Sequence, residues 1–214
     1  MRAQGPPDVD TESKYVASCR KELWQEVFRI ELAYLARHLQ GCRDVLSVGC
    51  GPAIIEGGLA ERGFRVTGLD ISREALKYAP DTVHTVVARA EDMPFPADSF
   101  DAVISVVSLQ FMDDWRLALE KMRWVLRPCG RIILLLLNPD SDFFRRKSRD
   151  PDSYISKIRH VDLTAIEEVV AQGFSVVTEY FLRIDGQTVS AESGGRDAVL
   201  YIIRGTKRET APSR

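Results

Sequence analysis

At 214 residues, 45% hydrophobic and 28% charged, the chain has the size and balance of one globular domain. A formal net charge of −2 offers no electrostatic footprint for nucleic acid or an anionic membrane, and the longest apolar run, Ile132–Leu137, is too short to span a bilayer. Cys19, Cys42, Cys50 and Cys129 form no C-x-x-C pair, and His38, His84 and His160 lack ligand spacing, which argues against a metal or thioredoxin-type site.

The first residues are polar and contain two prolines, so 1–13 read as a flexible N-terminus rather than a targeting helix, and a cytoplasmic chain is expected. A single domain is expected over 14–206, with a flexible tail at 207–214. Leu23, Val27, Ile30 and Tyr34, extended by Leu35 and Leu39, recur at helical spacing, so 14–41 reads as a cap helix stopped by Gly41. Strand-like apolar runs follow at Asp44–Val48, Arg65–Leu69, Thr82–Ala88, Phe100–Val107, Arg131–Leu137, Phe174–Leu182 and Ala198–Arg204. Helices fit at Pro52–Arg62, Arg73–Ala79, Asp114–Leu126 and Leu163–Gln172, and Asn138–Arg159 reads as a long polar, basic connection. Strands this apolar, alternating with helices, predict a doubly wound, Rossmann-like α/β fold with helices on both faces. The sheet should have seven strands, mostly parallel, with one antiparallel strand, because Ile184–Arg196 carries no helix and reads as a long hairpin loop. The cysteines are expected to be reduced and mostly buried.

The densest signal is Val45-Leu46-Ser47-Val48-Gly49-Cys50-Gly51-Pro52-Ala53, followed by Val66-Thr67-Gly68-Leu69-Asp70. A strand stops at a glycine turn, a helix begins, and a second strand ends on a carboxylate 21 positions after Gly49, where a ribose diol is bound in such sheets. A nicotinamide dinucleotide would want a third glycine where Ile54 stands, and Pro52 removes an N–H from the pyrophosphate site. A P-loop is excluded because Gly57-Gly58 is not followed by Lys-Ser/Thr. A cofactor with adenosine but no phosphates remains.

With ARAEDMPFPADSFDAVIS and WRLALEKMRWVLRPCGRIIL added in order, the chain resembles the class I methyltransferases that use S-adenosylmethionine, in particular the small ubiquinone/menaquinone-biosynthesis-like group. The resemblance implies the backbones of Gly49 and Gly51 against the methionine part of the cofactor and Asp70 on the ribose hydroxyls. It implies Ile71 on one adenine face, the backbone of Ala90 with Glu91 at the adenine edge, and the strand end at Ser105 and Val106 beside the ammonium group. Tyr15 would be a lid residue. S-adenosylhomocysteine would be the product, the acceptor a small molecule, and the chain a monomer or homodimer without nucleic acid or membrane partners.

Four positions depart from the family pattern. Ser47 stands for a carboxylate, Ala53 for a third glycine, Arg89 for an aspartate at the adenine amino group, and Cys129 for a glycine of the Pro-Gly-Gly turn. Ser47 and Arg89 each remove an acceptor and keep open a second reading, a catalytically silent cofactor-binding or partner subunit. No Asn/Asp-Pro-Pro-Tyr/Phe motif follows the fourth strand, so the acceptor atom is not declared, and no catalytic residue is named. Gln110, Phe111, Phe143, Phe144, the Arg145-Arg146-Lys147 run and His160 are the acceptor-side candidates.

Overall fold

A computed structural model of the chain describes residues 18–186 and 188–208. Tyr15 and most of both expected flexible termini lie outside the described residues. The elements are α1 Glu22–His38, β1 Asp44–Val48, α2 Ile54–Ala60, β2 Arg65–Asp70, α3 Arg73–Leu76, β3 His84–Val87, β4 Phe100–Val106, α4 Trp115–Val125, β5 Leu126–Leu137, α5 Asp142–Ser148, α6 Leu163–Gly173, β6 Phe174–Asp185, β7 Thr188–Ser193 and β8 Leu200–Lys207. Short 3-10 turns at Ala90–Asp92, Leu109–Phe111 and Tyr154–Lys157 complete them.

All eight strands share one sheet in the order β3-β2-β1-β4-β5-β8-β6-β7. β1 to β5 pair in parallel. β8 runs antiparallel to both β5 and β6, and β7 antiparallel to β6. The expected seven strands are therefore corrected to eight, and the single antiparallel strand to two. The added strand, Thr188–Ser193, lies within the connection read as a loop. Its apolar content is too low to signal a strand, and it forms because Arg183, Ile184 and Asp185 offer a free edge across the Gly186 turn.

Period-two alternation sorts the core into two layers. Val45, Ala102, Ile104, Ile133 and Leu135 meet α1 and α2 on one face, while Leu46, Val103, Ile132, Leu134 and Leu136 meet α4 and α6 on the other. Both faces are covered, as the run of strand residues with almost no exposure requires. The connection after β5 is less open than its polarity suggests. It contains α5, whose Phe143 and Phe144 are buried, and Trp24 of α1 meets Phe143 edge-on at 6.1 Å. No disulfide joins the four cysteines, but only Cys19 is buried and Cys129 is exposed, which corrects the expectation that most are buried. Among the described residues no helix is long and apolar enough to cross a membrane, and no group of three or more His, Cys, Asp or Glu could hold a metal.

Candidate cofactor site at the carboxyl edge of the sheet

The parallel strands deliver their carboxyl ends to one edge, and the glycine turn after β1 folds there against the end of β2. Gly49 and Cys50 donate to the Leu69 carbonyl at 2.7 and 3.2 Å. The N–H of Gly51 donates to Asp70 Oδ2 at 2.7 Å, and Ser72 donates to Asp70 Oδ1 at 2.8 Å. Asp70 thus ties the glycine loop to its own strand end, with its carboxylate half-buried at the carboxyl edge of the sheet.

Gly49 (φ 77°), Gly51 (φ 54°) and Ala53 (φ 55°) all lie in the left-handed region. At Gly49 a Cβ would lie 2.4 Å from that of Ser108, so this position takes glycine for space as well as for dihedral angle. Ser108 in turn donates to the Val48 carbonyl at 2.6 Å and shares a 2.7 Å hydrogen bond with Ser105, binding the end of β4 to the end of β1. Val107, at φ 48°, is a β-branched residue in the left-handed region, held there by its N–H on the Leu135 carbonyl at 2.8 Å. Strain of this kind gathers where strand ends are aimed at a site.

At Ser47 the sequence left an acceptor missing, and the fold brings one from elsewhere. Ser47 Oγ donates to Glu56 Oε1 of α2 at 2.5 Å, with both side chains buried. Glu31 of α1 is buried beside them. Loss of water raises the Glu56 carboxyl to about 7, partly offset by the Ser47 hydrogen bond. Burial first, then the Glu56 charge, raises Glu31 to about 8. Sequence reasoning missed Glu56. The signal was present, since a carboxylate three positions after the end of the Gly51–Ala53 turn falls on the helix face that looks back at β1.

The adenine-edge candidates are differently placed. Ala90 and Glu91 are buried, but Glu91 Oε1 already accepts from Asp114 N and from Arg89, each at 3.2 Å. Arg89 also donates to Asp113 at 2.9 Å, and Asp113 pairs with Arg159. Arg89 is a bridge within an ion cluster, so an aspartate at that position would face Glu91 and Asp113. Restoring the family residue there would not by itself restore the family contact. Ile71 is 53% exposed beside Asp70, and Val106 is half-buried at the end of β4.

On the acceptor side, Gln110 is fully buried and is a clamp, not a pocket residue. Its amide donates to the Leu137 and His160 carbonyls at 3.0 and 3.2 Å and accepts from Leu137 N at 2.7 Å. His160 Nε2 lies 2.8 Å from the Met112 carbonyl, which makes that nitrogen the donor and gives the ring a structural role. Phe111 is stacked on Tyr154 at 4.3 Å and 28°. Tyr154 is 41% exposed as a residue, yet its hydroxyl is raised above the ordinary phenol range, first by burial and then by the Asp70 charge. Tyr154, a residue sequence reasoning did not single out, is thus stacked on Phe111 and feels the charge of Asp70. Arg145, Arg146 and Lys147 are exposed on α5 and face solvent.

Residues 46–134 match the model of a methyltransferase domain. The chain is 30% identical over 146 residues to the biotin biosynthesis bifunctional protein BioHC of Cellvibrio japonicus, a match covering 66% of this chain and 29% of that one. It is 32% identical over 139 residues to the ubiquinone biosynthesis O-methyltransferase of Alkalilimnicola ehrlichii, covering 60% of this chain and 52% of the relative. The chain thus spans about half the length of one relative and less than a third of the other. Among solved structures, a SAM-dependent methyltransferase of Thermotoga maritima, titled a possible histamine N-methyltransferase, superposes with a TM-score of 0.73. That match covers 93% of this chain and 99% of the other at 20% identity, a likeness of fold.

Proposed function

We propose that this chain is a class I methyltransferase that transfers a methyl group from S-adenosylmethionine to a small-molecule acceptor, a reading supported by the methyltransferase-domain match over residues 46–134. The observation that carries the reading is the glycine loop closed on Asp70 at the carboxyl edge of the sheet, with Pro52 in place of an N–H that a pyrophosphate would need. The cofactor supplies an activated methyl on a sulfonium, and the leaving group is a neutral thioether.

Under this reading Gly49 and Gly51 bring bare backbone to the methionine portion, with Val106 at the ammonium end. Asp70 accepts from the ribose hydroxyls, Ile71 covers one adenine face, and Ala90 with Glu91 bounds the adenine edge. Tyr15 would close over the site from the segment before α1. The work of such an enzyme is alignment of the nucleophile with the S–CH3 bond and exclusion of water, for which a general base is needed only when the acceptor must first lose a proton. The stacked rings of Phe111 and Tyr154, just past the end of β4, offer an aromatic surface that favours a flat apolar acceptor over a charged one. A second reading, a silent partner subunit, is favoured by Ser47 and Arg89, while the buried Glu56 carboxyl bound to Ser47 supports the enzymatic one.

Calorimetric titration with S-adenosylmethionine and S-adenosylhomocysteine tests the proposal. Saturable binding of both is expected. Binding of neither at millimolar ligand overturns it.

A further inference from the structure

At the opposite edge of the sheet from Asp70, the fold leaves a groove of about 450 Å³ where α1 stops at His38 and the strands continue. Its floor follows from strand register. Arg131 pairs with Thr206, which pairs with Ser175, while Ile133 pairs with Arg204, which pairs with Val177. Directly paired residues share a sheet face, so these two rows lie side by side on the face that α1 covers elsewhere. Val177, 57% exposed, marks where that cover ends.

The charge in this groove is unbalanced. Arg37, Arg131 and Arg204 line it. Glu179, the carboxylate that pairs with Arg204, accepts from Arg204 Nη2 at 3.1 Å and from the Tyr34 hydroxyl at 2.6 Å. Arg131 spends Nη1 on the His38 and Gln40 carbonyls at 2.9 and 2.8 Å, which caps the end of α1 and offsets its negative pole. Among the described residues neither Arg37 nor Arg131 makes an ion pair. Arg204 Nε is buried without a hydrogen-bond partner. His38, whose Nδ1 lies 3.1 Å from Arg204 Nη1, is held below the ordinary imidazole range by burial first, and then by Arg204, Arg37 and Arg131 against the opposing pull of Glu179. An incoming anion would relieve every one of these positive contacts.

We propose that this groove is a second ligand site, separate from the cofactor site, for a phosphate-bearing small molecule. Guanidinium groups match phosphate oxygens in pairs, and Arg37 and Arg131 supply the charge. Ser175 and Thr206 on the floor offer hydroxyl donors to the same group. The volume suits a small phosphorylated molecule rather than a polymer. The proposal does not depend on the methyl-transfer reading.

The test titrates the full chain with inorganic pyrophosphate, and separately with ribose 5-phosphate, at ionic strength matched with sodium chloride, followed by calorimetry and by the NMR signal of the His38 ring. Saturable binding is expected, with the His38 pKa rising as the anion neutralises its arginine neighbours. Arg37→Gln and Arg131→Gln are each expected to weaken binding about tenfold, with the response to S-adenosylhomocysteine unchanged. Arg37 is exposed and makes no ion pair, so its variant reports even if the loss of the α1 cap prevents Arg131→Gln from folding. Tighter binding of ribose 5-phosphate than of pyrophosphate would identify a phosphate ester as the ligand, and the reverse a free phosphate. No difference from sodium chloride alone, or unchanged binding in Arg37→Gln, overturns the proposal.

Discussion

Asp70 shows how one side chain can carry two roles. From its place at a strand end, its replacement would be expected to leave folding nearly untouched, but both oxygens accept backbone N–H bonds, from Gly51 and Ser72. Asp70→Ala is therefore expected to cost about 1–3 kcal/mol of stability in urea denaturation, together with about 2–3 kcal/mol of cofactor affinity. Asp70→Asn keeps an acceptor for one of the two N–H groups, so it should lose affinity with a smaller stability change. Calorimetry and denaturation of the pair separate the two effects, and an unchanged dissociation constant in both would remove Asp70 from the ribose site. Ala53 is a second case. It reads as a mild replacement of glycine, but at φ 55° it holds an L side chain in the left-handed region. Ala53→Gly is expected to raise stability by about 1 kcal/mol, seen as a higher urea midpoint at constant slope. An unchanged or lower midpoint would show that the turn relaxes at no cost.

Among the elements, the glycine turn, the cap helix and the five parallel strands were legible because their patterns are local and strong. The segment Asn138–Arg159 was not, because its order comes from two buried amides placed far from it in sequence or hidden at its start. Asn138 holds the Arg196 and Ala198 carbonyls at 2.7 and 2.8 Å, and Gln110 holds the other end at His160. Phe143 and Phe144 fasten α5 to the core between them. What remains free to respond is the stretch from Arg149 to Ile158 that carries Tyr154. Amide exchange with and without S-adenosylhomocysteine should show slowing there and little change in α5. Equal exchange throughout would make the stretch a plain connection, and uniform slowing from 138 onward would show that the clamps open in the unliganded chain.

For the whole molecule, the buried pair Glu31 and Glu56 sets an acid-side preference. Both folded-state values, about 8 and about 7, lie above the ordinary carboxylate value of 4.5, so the folded chain holds protons that the unfolded chain releases. This stabilisation is complete below the unfolded value, falls as pH rises through about 7 and 8, and is gone above that. The slope should be on the order of 1 kcal/mol per pH unit for each group across that window. Denaturation midpoints measured from pH 5 to 9 should fall less steeply in Glu31→Gln than in the parent chain, and parallel curves would refute the assignment. The pair also marks the division between what each level determined. Sequence alone determined the α/β architecture, the glycine loop and the carboxylate at Asp70, because apolar period and turn chemistry act between near neighbours. Only tertiary structure set Glu56 against Ser47, tied Arg89 into an ion cluster, paired β7 with β6 and gathered three arginines beyond the end of α1. Apart from Glu56, whose place in the first turn of α2 was readable, those contacts join residues whose separation in the chain carries no periodic signal, and packing chose them.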